Sequence, residues 1–144
     1  MEKYIGLDLG TKSLGIATSD SLGIVHGREN FNFEKGNYKK AREHLINFLE
    51  IENIKNLVIG YPVQLDLQEG ERCQSVKRFI SDLLLYKPDL NVFYCDESYT
   101  TIEARERLKE AGLKEEKIKK IIDMMSAVVI LEDFLRNKVN GTTK

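Results

Sequence analysis

The sequence of 144 residues predicts one α/β domain with the element order βββαβαβαα. Three observations support this fold class. The N-terminal 33 residues alternate between apolar and polar or small residues, which is the period of β-strands. Beyond them, stretches with apolar residues at helical spacing alternate with two short apolar runs. Hydrophobic residues make up 42% of the chain and charged residues 31%, a composition that suits a single folded core.

The N-terminal region is predicted to form three strands. The first covers residues 3–9, and the turn GTKS leads into a second over residues 14–19. A third and less regular strand follows over about 23–33. Because the connections between the three are short, we expect an antiparallel meander.

Helices and strands alternate in the rest of the chain. In order, the pattern predicts a helix over 38–50, a strand over 55–62, a helix over 71–86, a strand over 90–95, a helix from Thr100 to about Gly112 and a helix from about Glu115 to Arg136. Thr100 and Glu103 have the spacing of a capping box. The last two strands are expected to run parallel to the first. The domain is predicted to cover 1–138, followed by a flexible tail over 139–144.

Composition and charge exclude several classes of protein. The net charge of −1 argues against a surface that binds nucleic acid all over, although it permits a local basic patch. Cys73 and Cys95 lack the spacing of a metal site and are predicted to be reduced thiols, with Cys95 buried in a strand. The N-terminus lacks the pattern of a signal peptide, and no apolar run reaches the roughly 18 residues of a membrane span. We therefore expect a cytoplasmic protein that does not contact membranes.

Two strands carry carboxylates in unusual settings. Asp8 lies inside the first strand between Gly6 and Gly10, which place no side chain beside it and would let a ligand approach. Asp96 and Glu97 directly follow the fifth strand. The carboxyl ends of parallel strands form the edge at which α/β sheets usually bind ligands. Asp8 and Glu97 are therefore candidates for one site.

The last helix carries a third carboxylate. Asp123 is the one charged residue in the stretch IIDMMSAVVIL, residues 121–131. Burial of an unpaired carboxylate is costly, so its presence there needs a reason. Carboxylates that converge repel one another unless a cation holds them, and oxygen ligands suit Mg²⁺ or Mn²⁺. Two such ions can promote phosphodiester cleavage, which predicts a two-metal nuclease site.

Each carboxylate also has an ordinary structural explanation. Asp8 could face solvent, and Glu97 could belong to a loop or a helix start. Asp123 could pair with Lys119 or Lys120, one turn earlier on the same helix. The joint placement of the three carboxylates favours the site over these alternatives.

Four stretches together resemble one known family in order and spacing. They are GLDLGTKSLGIATSD (6–20), VIGYPVQLDLQEGERCQSVKRF (58–79), DESYTTIEARERL (96–108) and KKIIDMMSAVVILEDFL (119–135). They resemble the YqgF/RuvX family, Holliday-junction-resolvase-like proteins that are usually described as pre-16S rRNA nucleases. The resemblance covers nearly the whole chain. It implies a ribonuclease-H-like fold with a five-stranded mixed sheet in the order 3-2-1-4-5, flanked by helices.

The resemblance also implies roles for individual residues. The implied catalytic carboxylates and metal ligands, for Mg²⁺ or Mn²⁺ and two ions, are Asp8, Glu97 and Asp123. The implied substrate-binding residues are Lys12, Thr100 and Thr101. The sequence departs from the family pattern at Ser13 and Ser98, where arginine is usual, and at Gln64, where asparagine is usual.

The two missing arginines put the grip on nucleic acid in doubt, because arginine can clamp phosphate groups. Replacement charge could come from Arg105, Arg107, Lys114, Lys117, Lys119 and Lys120. The alternative is that these residues form a solvated face together with Glu115 and Glu116.

The function expected from these features is metal-dependent endonucleolytic cleavage in 5′-end maturation of pre-16S rRNA, by a monomer or weak homodimer. One alternative is a Holliday-junction resolvase or another nuclease of branched DNA. GLDLGT also resembles a phosphate motif of actin and sugar kinases, but those proteins clamp nucleotides between two such domains. A further alternative is a non-catalytic nucleic-acid-binding module, although a pure binder gains nothing from three mutually repelling carboxylates.

Overall fold

The computed structural model describes residues 2–62, 70–96 and 99–139, and its element order matches the predicted one. The elements are β1 Tyr4–Leu9, β2 Ser13–Ser19, β3 Val25–Asn32, α1 Tyr38–Glu52, β4 Asn56–Tyr61, α2 Glu71–Tyr86, β5 Asn91–Asp96, α3 Thr100–Glu110 and α4 Glu115–Val139. Within these residues, no helix combines the length and the apolarity that crossing a membrane requires.

The five strands form one mixed sheet in the order β3-β2-β1-β4-β5, as predicted. β1 and β2 pair in antiparallel fashion, as do β2 and β3, whereas β1, β4 and β5 run parallel to one another. The register between β2 and β3 shifts next to Ile16, and this bulge explains why the alternation in the third strand is irregular. We call the edge at which β1, β4 and β5 end the upper edge.

One face of the sheet is covered by α1 and α2. The strands direct large aliphatic side chains toward these helices, and Leu7, Ile16 and Ile59 are completely buried there. The helices contribute the matching apolar residues, including Leu45 and Leu83. Each such side chain contributes about 1.5–3 kcal/mol of burial free energy, so this face holds most of the apolar core.

The other face is covered by α4, which crosses β1, β2 and β3. Here the strands present small residues. A Cβ atom on Gly6 would lie 2.7 Å from the Cβ of Leu131 and 2.9 Å from the carbonyl oxygen of Ala127, and one on Gly15 would overlap the carbonyl group of Asp123. Gly6 was expected to leave room for a ligand. It instead leaves room for the backbone of α4, because the helix lies directly on the strands.

The predicted capping box at the start of α3 is wrong. Tyr99 is the N-cap residue, and no side-chain hydrogen bond caps this end of the helix within the described residues. Thr100 is the first helical residue and is 5% exposed. An N-cap residue needs a non-helical backbone, so Thr100 in the first turn does not meet the geometry that capping requires.

Two smaller expectations concern the cysteines and the tail. Cys73 and Cys95 are both reduced thiols, but Cys95 is only half-buried, because β5 is an edge strand. Val139 is the last residue of α4, and 140–144 of the predicted tail lie outside the described residues.

Candidate active site

The first carboxylate of the candidate site belongs to the central strand of the sheet. Asp8 lies in β1 opposite Gly15 of β2, and it points to the α4 face. It is only 6% exposed. A carboxylate in this position loses much of its hydration, which destabilises its charged form unless a cation or hydrogen-bond donors stabilise it.

The second carboxylate is brought to Asp8 by the close contact between α4 and the sheet. The carbonyl group of Asp123 occupies the space that a side chain on Gly15 would need. The next residue is also fixed, because the backbone N–H of Met124 donates a 2.8 Å hydrogen bond to Asn30 Oδ1 of β3. β2 and β3 therefore hold α4 at the turn that carries Asp123.

The carboxylate of Asp123 is held by a neighbouring hydroxyl. Ser13 Oγ, at the start of β2, donates a hydrogen bond to Asp123 Oδ2. Burial raises the pKa of Asp123 above its ordinary value, while the hydrogen bond from Ser13 and the charge of Arg72 act in the opposite direction. The alternative in which Asp123 pairs with Lys119 or Lys120 is not found among the ion pairs of the described residues.

The two carboxylates share an open cleft of about 580 Å³ at the upper edge of the sheet. Its described lining consists of Asp8, Gly10, Thr11, Lys12, Ser13, Asn30, Asn32, Phe33, Arg72, Thr101, Lys119 and Asp123. The lining thus combines anionic groups with three cations and several neutral hydrogen-bonding side chains. Such a mixture can hold a metal ion and an anionic substrate side by side.

The substrate-binding residues suggested by sequence fall into two groups. Lys12 and Thr101 line the cleft. Thr100 is buried and does not belong to the described lining. Glu97, the third suggested carboxylate, and Ser98 lie outside the described residues. Asp96 ends β5 beside Tyr61 of β4, so the chain reaches the upper edge just before Glu97.

Two lining residues were missed by sequence reasoning. Arg72, in the first turn of α2, donates a 3.2 Å hydrogen bond from Nη2 to the carbonyl oxygen of Leu9. Asn30 fixes α4 through Met124. Arg72 lies within the family-like stretch 58–79, but no role was assigned to it, and Asn30 lies in none of the four stretches. The place of Arg72 at a helix start that follows a parallel strand was a further signal.

The described donors suit a hard divalent cation in part. Asp8 and Asp123 supply carboxylate oxygens, the ligand type that Mg²⁺ and Mn²⁺ prefer. Across residues 2–62, 70–96 and 99–139, no group of three or more acidic, histidine or cysteine side chains is positioned to hold a metal. A complete carboxylate set would therefore need Glu97.

The strand order and the helices on both faces of the sheet define a class of protein, those with a ribonuclease-H-like fold. The structure resembles RuvC of Thermus thermophilus in complex with a Holliday junction substrate, with a TM-score of 0.65 and 14% identity over 100% of this chain and 99% of that one. It also resembles the fowlpox virus resolvase in complex with Holliday junction DNA, with a TM-score of 0.57 and 12% identity. At these identities the likeness establishes the fold.

The chain belongs to the RuvX family, whose model, described as Holliday junction resolvase, matches residues 2–137. A relative from Ureaplasma parvum serovar 3 is 40% identical over 142 residues, which cover 92% of this chain and 95% of the relative. A relative from Lachnospira eligens is 36% identical over 138 residues, covering 94% and 98%. Both are named "Putative pre-16S rRNA nuclease".

Proposed function

We propose that this chain is a divalent-metal-dependent endonuclease that hydrolyses phosphodiester bonds of RNA in 5′-end maturation of pre-16S rRNA. The observation that carries the proposal is the pairing of Asp8 and Asp123 in one cleft of a ribonuclease-H-like sheet. The names of the relatives support the substrate. A cytoplasmic location fits a substrate of this kind.

The residues that would hold the metal are Asp8, Asp123 and Glu97. The chemistry that two Mg²⁺ or Mn²⁺ ions supply in such a site is stabilisation of charge on the phosphate and activation of a water. Ser13 orients the carboxylate of Asp123 by its hydrogen bond to Oδ2. Burial makes both carboxylates poorly hydrated, which strengthens their attraction to a cation.

The chain's own residues also shape the approach of the substrate. Lys12 and Lys119 add positive charge around the carboxylates, and Thr101 adds a hydroxyl at the mouth of the cleft. The cleft is open to solvent, so a strand can enter it from the surface. This arrangement suits cleavage within a polymer, because the substrate does not have to be enclosed.

The test is cleavage of a defined pre-16S rRNA fragment with Mg²⁺, Mn²⁺ or EDTA by the wild type, Asp8→Asn and Asp123→Asn. We expect either variant to lose about 100-fold or more of the rate, since the metal supplies several kcal/mol of transition-state stabilisation. The matched control is Asp133→Asn, which lies on the same helix but pairs with Arg136 at the surface. It should cleave like the wild type.

Melting curves with and without metal complete the test. A metal that binds only the native state raises its stability by RT ln(1 + [L]/Kd), so Asp123→Asn should lose the metal-induced shift in Tm. A fully active Asp123→Asn protein with an undiminished shift would contradict the proposal, and so would equal cleavage in EDTA.

A second candidate substrate is branched DNA, which the description of the family model favours. A resolvase makes paired symmetric nicks and therefore needs a dimer with two sites. A four-way DNA junction in the same assay, combined with the molar mass in solution, separates the two substrates. Preferred cleavage of the junction by a dimer would favour the resolvase. Cleavage of RNA by a monomer or weak homodimer supports the rRNA nuclease.

A further inference from the structure

The cleft has to bind a polyanion although its floor is acidic. Asp8 and Asp123 both face the region where a phosphate would lie, and like charges repel strongly in a poorly hydrated cleft. Ser13 is uncharged, and its hydroxyl is engaged by Asp123. Position 13 therefore supplies no positive charge in this chain.

Two arginines that the sequence suggested as replacement charge are engaged in ion pairs away from the cleft. Arg105 pairs with Glu115 at 2.6 Å. Arg107 lies 3.0 Å from Glu103 and 2.8 Å from Glu132. The two are thus not available as the replacement charge that the sequence suggested.

Arg72 differs from the other two cations in the cleft by being anchored. Its Nη2 donates to the carbonyl oxygen of Leu9, the residue that follows Asp8. Lys12 and Lys119 are exposed point charges on flexible stems. A guanidinium carries five N–H groups in a planar fork, and the hydrogen bond to Leu9 restrains this fork at the wall of the cleft. Less conformational entropy is then lost when it binds an anion.

We propose that Arg72 contacts a phosphate of the substrate strand in the cleft and supplies positive charge beside the two carboxylates. This inference rests on the proposed function. Opposite Arg72, the β3 side of the cleft is lined by the neutral amides of Asn30 and Asn32. The sugar–phosphate backbone is thus expected on the α2 side of the cleft.

The test measures binding without cleavage. An Asp8→Asn protein in EDTA binds a fluorescently labelled single-stranded oligoribonucleotide of mixed sequence, and Kd is determined at several salt concentrations. Arg72→Gln is added to this background, because a glutamine amide can still donate to Leu9 while the charge is lost. We expect binding about 10-fold weaker at low salt and a salt slope smaller by about one.

The matched control is Arg78→Gln in the same background. Arg78 also lies on α2, but it lines a separate groove with Tyr38 and Arg42, so the control removes an equal charge from the same helix. It should leave Kd and the salt slope nearly unchanged. Equal losses in the two variants would overturn the proposal, because they would reflect the net charge of α2. An unchanged Kd for Arg72→Gln would overturn it as well.

A further variant separates contact from folding. Arg72→Gln could weaken binding by destabilising the fold, which a melting temperature below that of its parent would reveal. In that case Arg72→Lys in the same background shows whether the charge itself matters, since lysine keeps the charge. Retention of the parent salt slope by Arg72→Lys supports the phosphate contact, and loss of the slope overturns it. Binding is measured apart from cleavage. Failure of the wild type to cleave RNA would therefore count against the proposed function, while the binding result for Arg72 could still be interpreted.

Discussion

The two faces of the sheet are packed in opposite ways. Toward α1 and α2, the strands direct large side chains such as Leu7 and Ile16, and the helices rest on those side chains. Toward α4, they present Gly6 and Gly15, and the helix backbone rests on the strand backbone. The first face supplies most of the apolar burial, whereas the second fixes where one helix lies.

The candidate site lies on the α4 face, beside Gly15, where the strand has no side chain under the helix. A helix that rests on long side chains can shift when those side chains adopt other rotamers, and such cores tolerate volume-conserving changes. A helix in backbone contact has no such freedom. Asp123 is therefore held beside Asp8 by the absence of a side chain at Gly15, with Ser13 and Asn30 as supporting hydrogen-bond partners.

The largest effect should follow from adding one methyl group to the α4 face. Gly15→Ala places a Cβ atom on the carbonyl group of Asp123, so α4 must move away from the sheet. We expect the free energy of unfolding to fall by about 3 kcal/mol or more, at the upper end of overpacking costs. Cleavage should be lost even at temperatures where the variant is folded. Urea unfolding and the rRNA cleavage assay measure the two effects.

The control for this prediction is another glycine beside the same carboxylate. A Cβ atom on Gly10 would lie 3.4 Å from the Ser13 carbonyl oxygen and 3.6 Å from Asp123 Oδ2, so neighbouring atoms need to move very little. Gly10→Ala should therefore cost far less stability than Gly15→Ala. Similar losses in the two variants would show that backbone contact is not what positions α4.

An intermediate loss of stability is expected from a substitution at Ile16, which follows Gly15 and points to the opposite face of the sheet. Ile16→Val removes one buried methylene from the α1/α2 face and should cost about 0.5–1.5 kcal/mol. Cleavage per folded molecule should stay within about twofold of the wild type, because this face does not set the position of Asp123. A stable Ile16→Val protein with a strongly reduced cleavage rate would show that the α1/α2 face also sets the position of Asp123.

The smallest effect concerns an ion pair at the rim of the α1/α2 face. Arg28 donates to both carboxylate oxygens of Glu52, and these hydrogen bonds hold the pKa of Glu52 below its ordinary value of 4.5. A lowered pKa stabilises the folded state above the unfolded pKa, and this contribution is lost as the pH falls through the folded pKa. Glu52→Gln should thus cost about 0.2–1 kcal/mol at pH 7.

The measurement is the difference in unfolding free energy between wild type and Glu52→Gln from pH 7 to pH 3. The difference should shrink below about pH 4.5, where Glu52 of the unfolded chain becomes protonated, and disappear once the pH falls below the lower pKa of the folded state. A difference that stays constant down to pH 3 would show that the loss at pH 7 does not come from the charge of Glu52.

Much of the fold follows from local pattern. Alternation in β1 identified which side chains face α1 and α2, and the apolar run around Asp123 identified a core helix. The unusual local settings of Asp8 and Asp123 made them candidates, the family resemblance implied their roles, and the structure brings these two together. Their catalytic role remains a prediction, as does that of Glu97.

The misses have a common physical cause. Gly6 and Gly15 have no side chain because α4, more than 100 positions away in sequence, packs closely against them. Nothing in the local sequence distinguishes this packing requirement from a requirement for ligand space. Arg72 acts on Leu9, again across a large sequence separation. Thr100 has a capping pattern, but tertiary packing buries it inside the first turn. Sequence pattern records local preference, whereas these three features depend on contacts between distant segments.

The hydrogen bond between Ser13 and Asp123 also bears on when activity arises during synthesis. Its partners are 110 residues apart, so β2 leaves the ribosome long before the helix that completes the cleft. Chains are made at about 5–20 residues per second, which gives a lag of several seconds. Throughout that interval the growing polypeptide lacks Asp123. If the proposed function holds, the cleft that would cut RNA is therefore incomplete beside the ribosomal RNA of its own ribosome until α4 has docked.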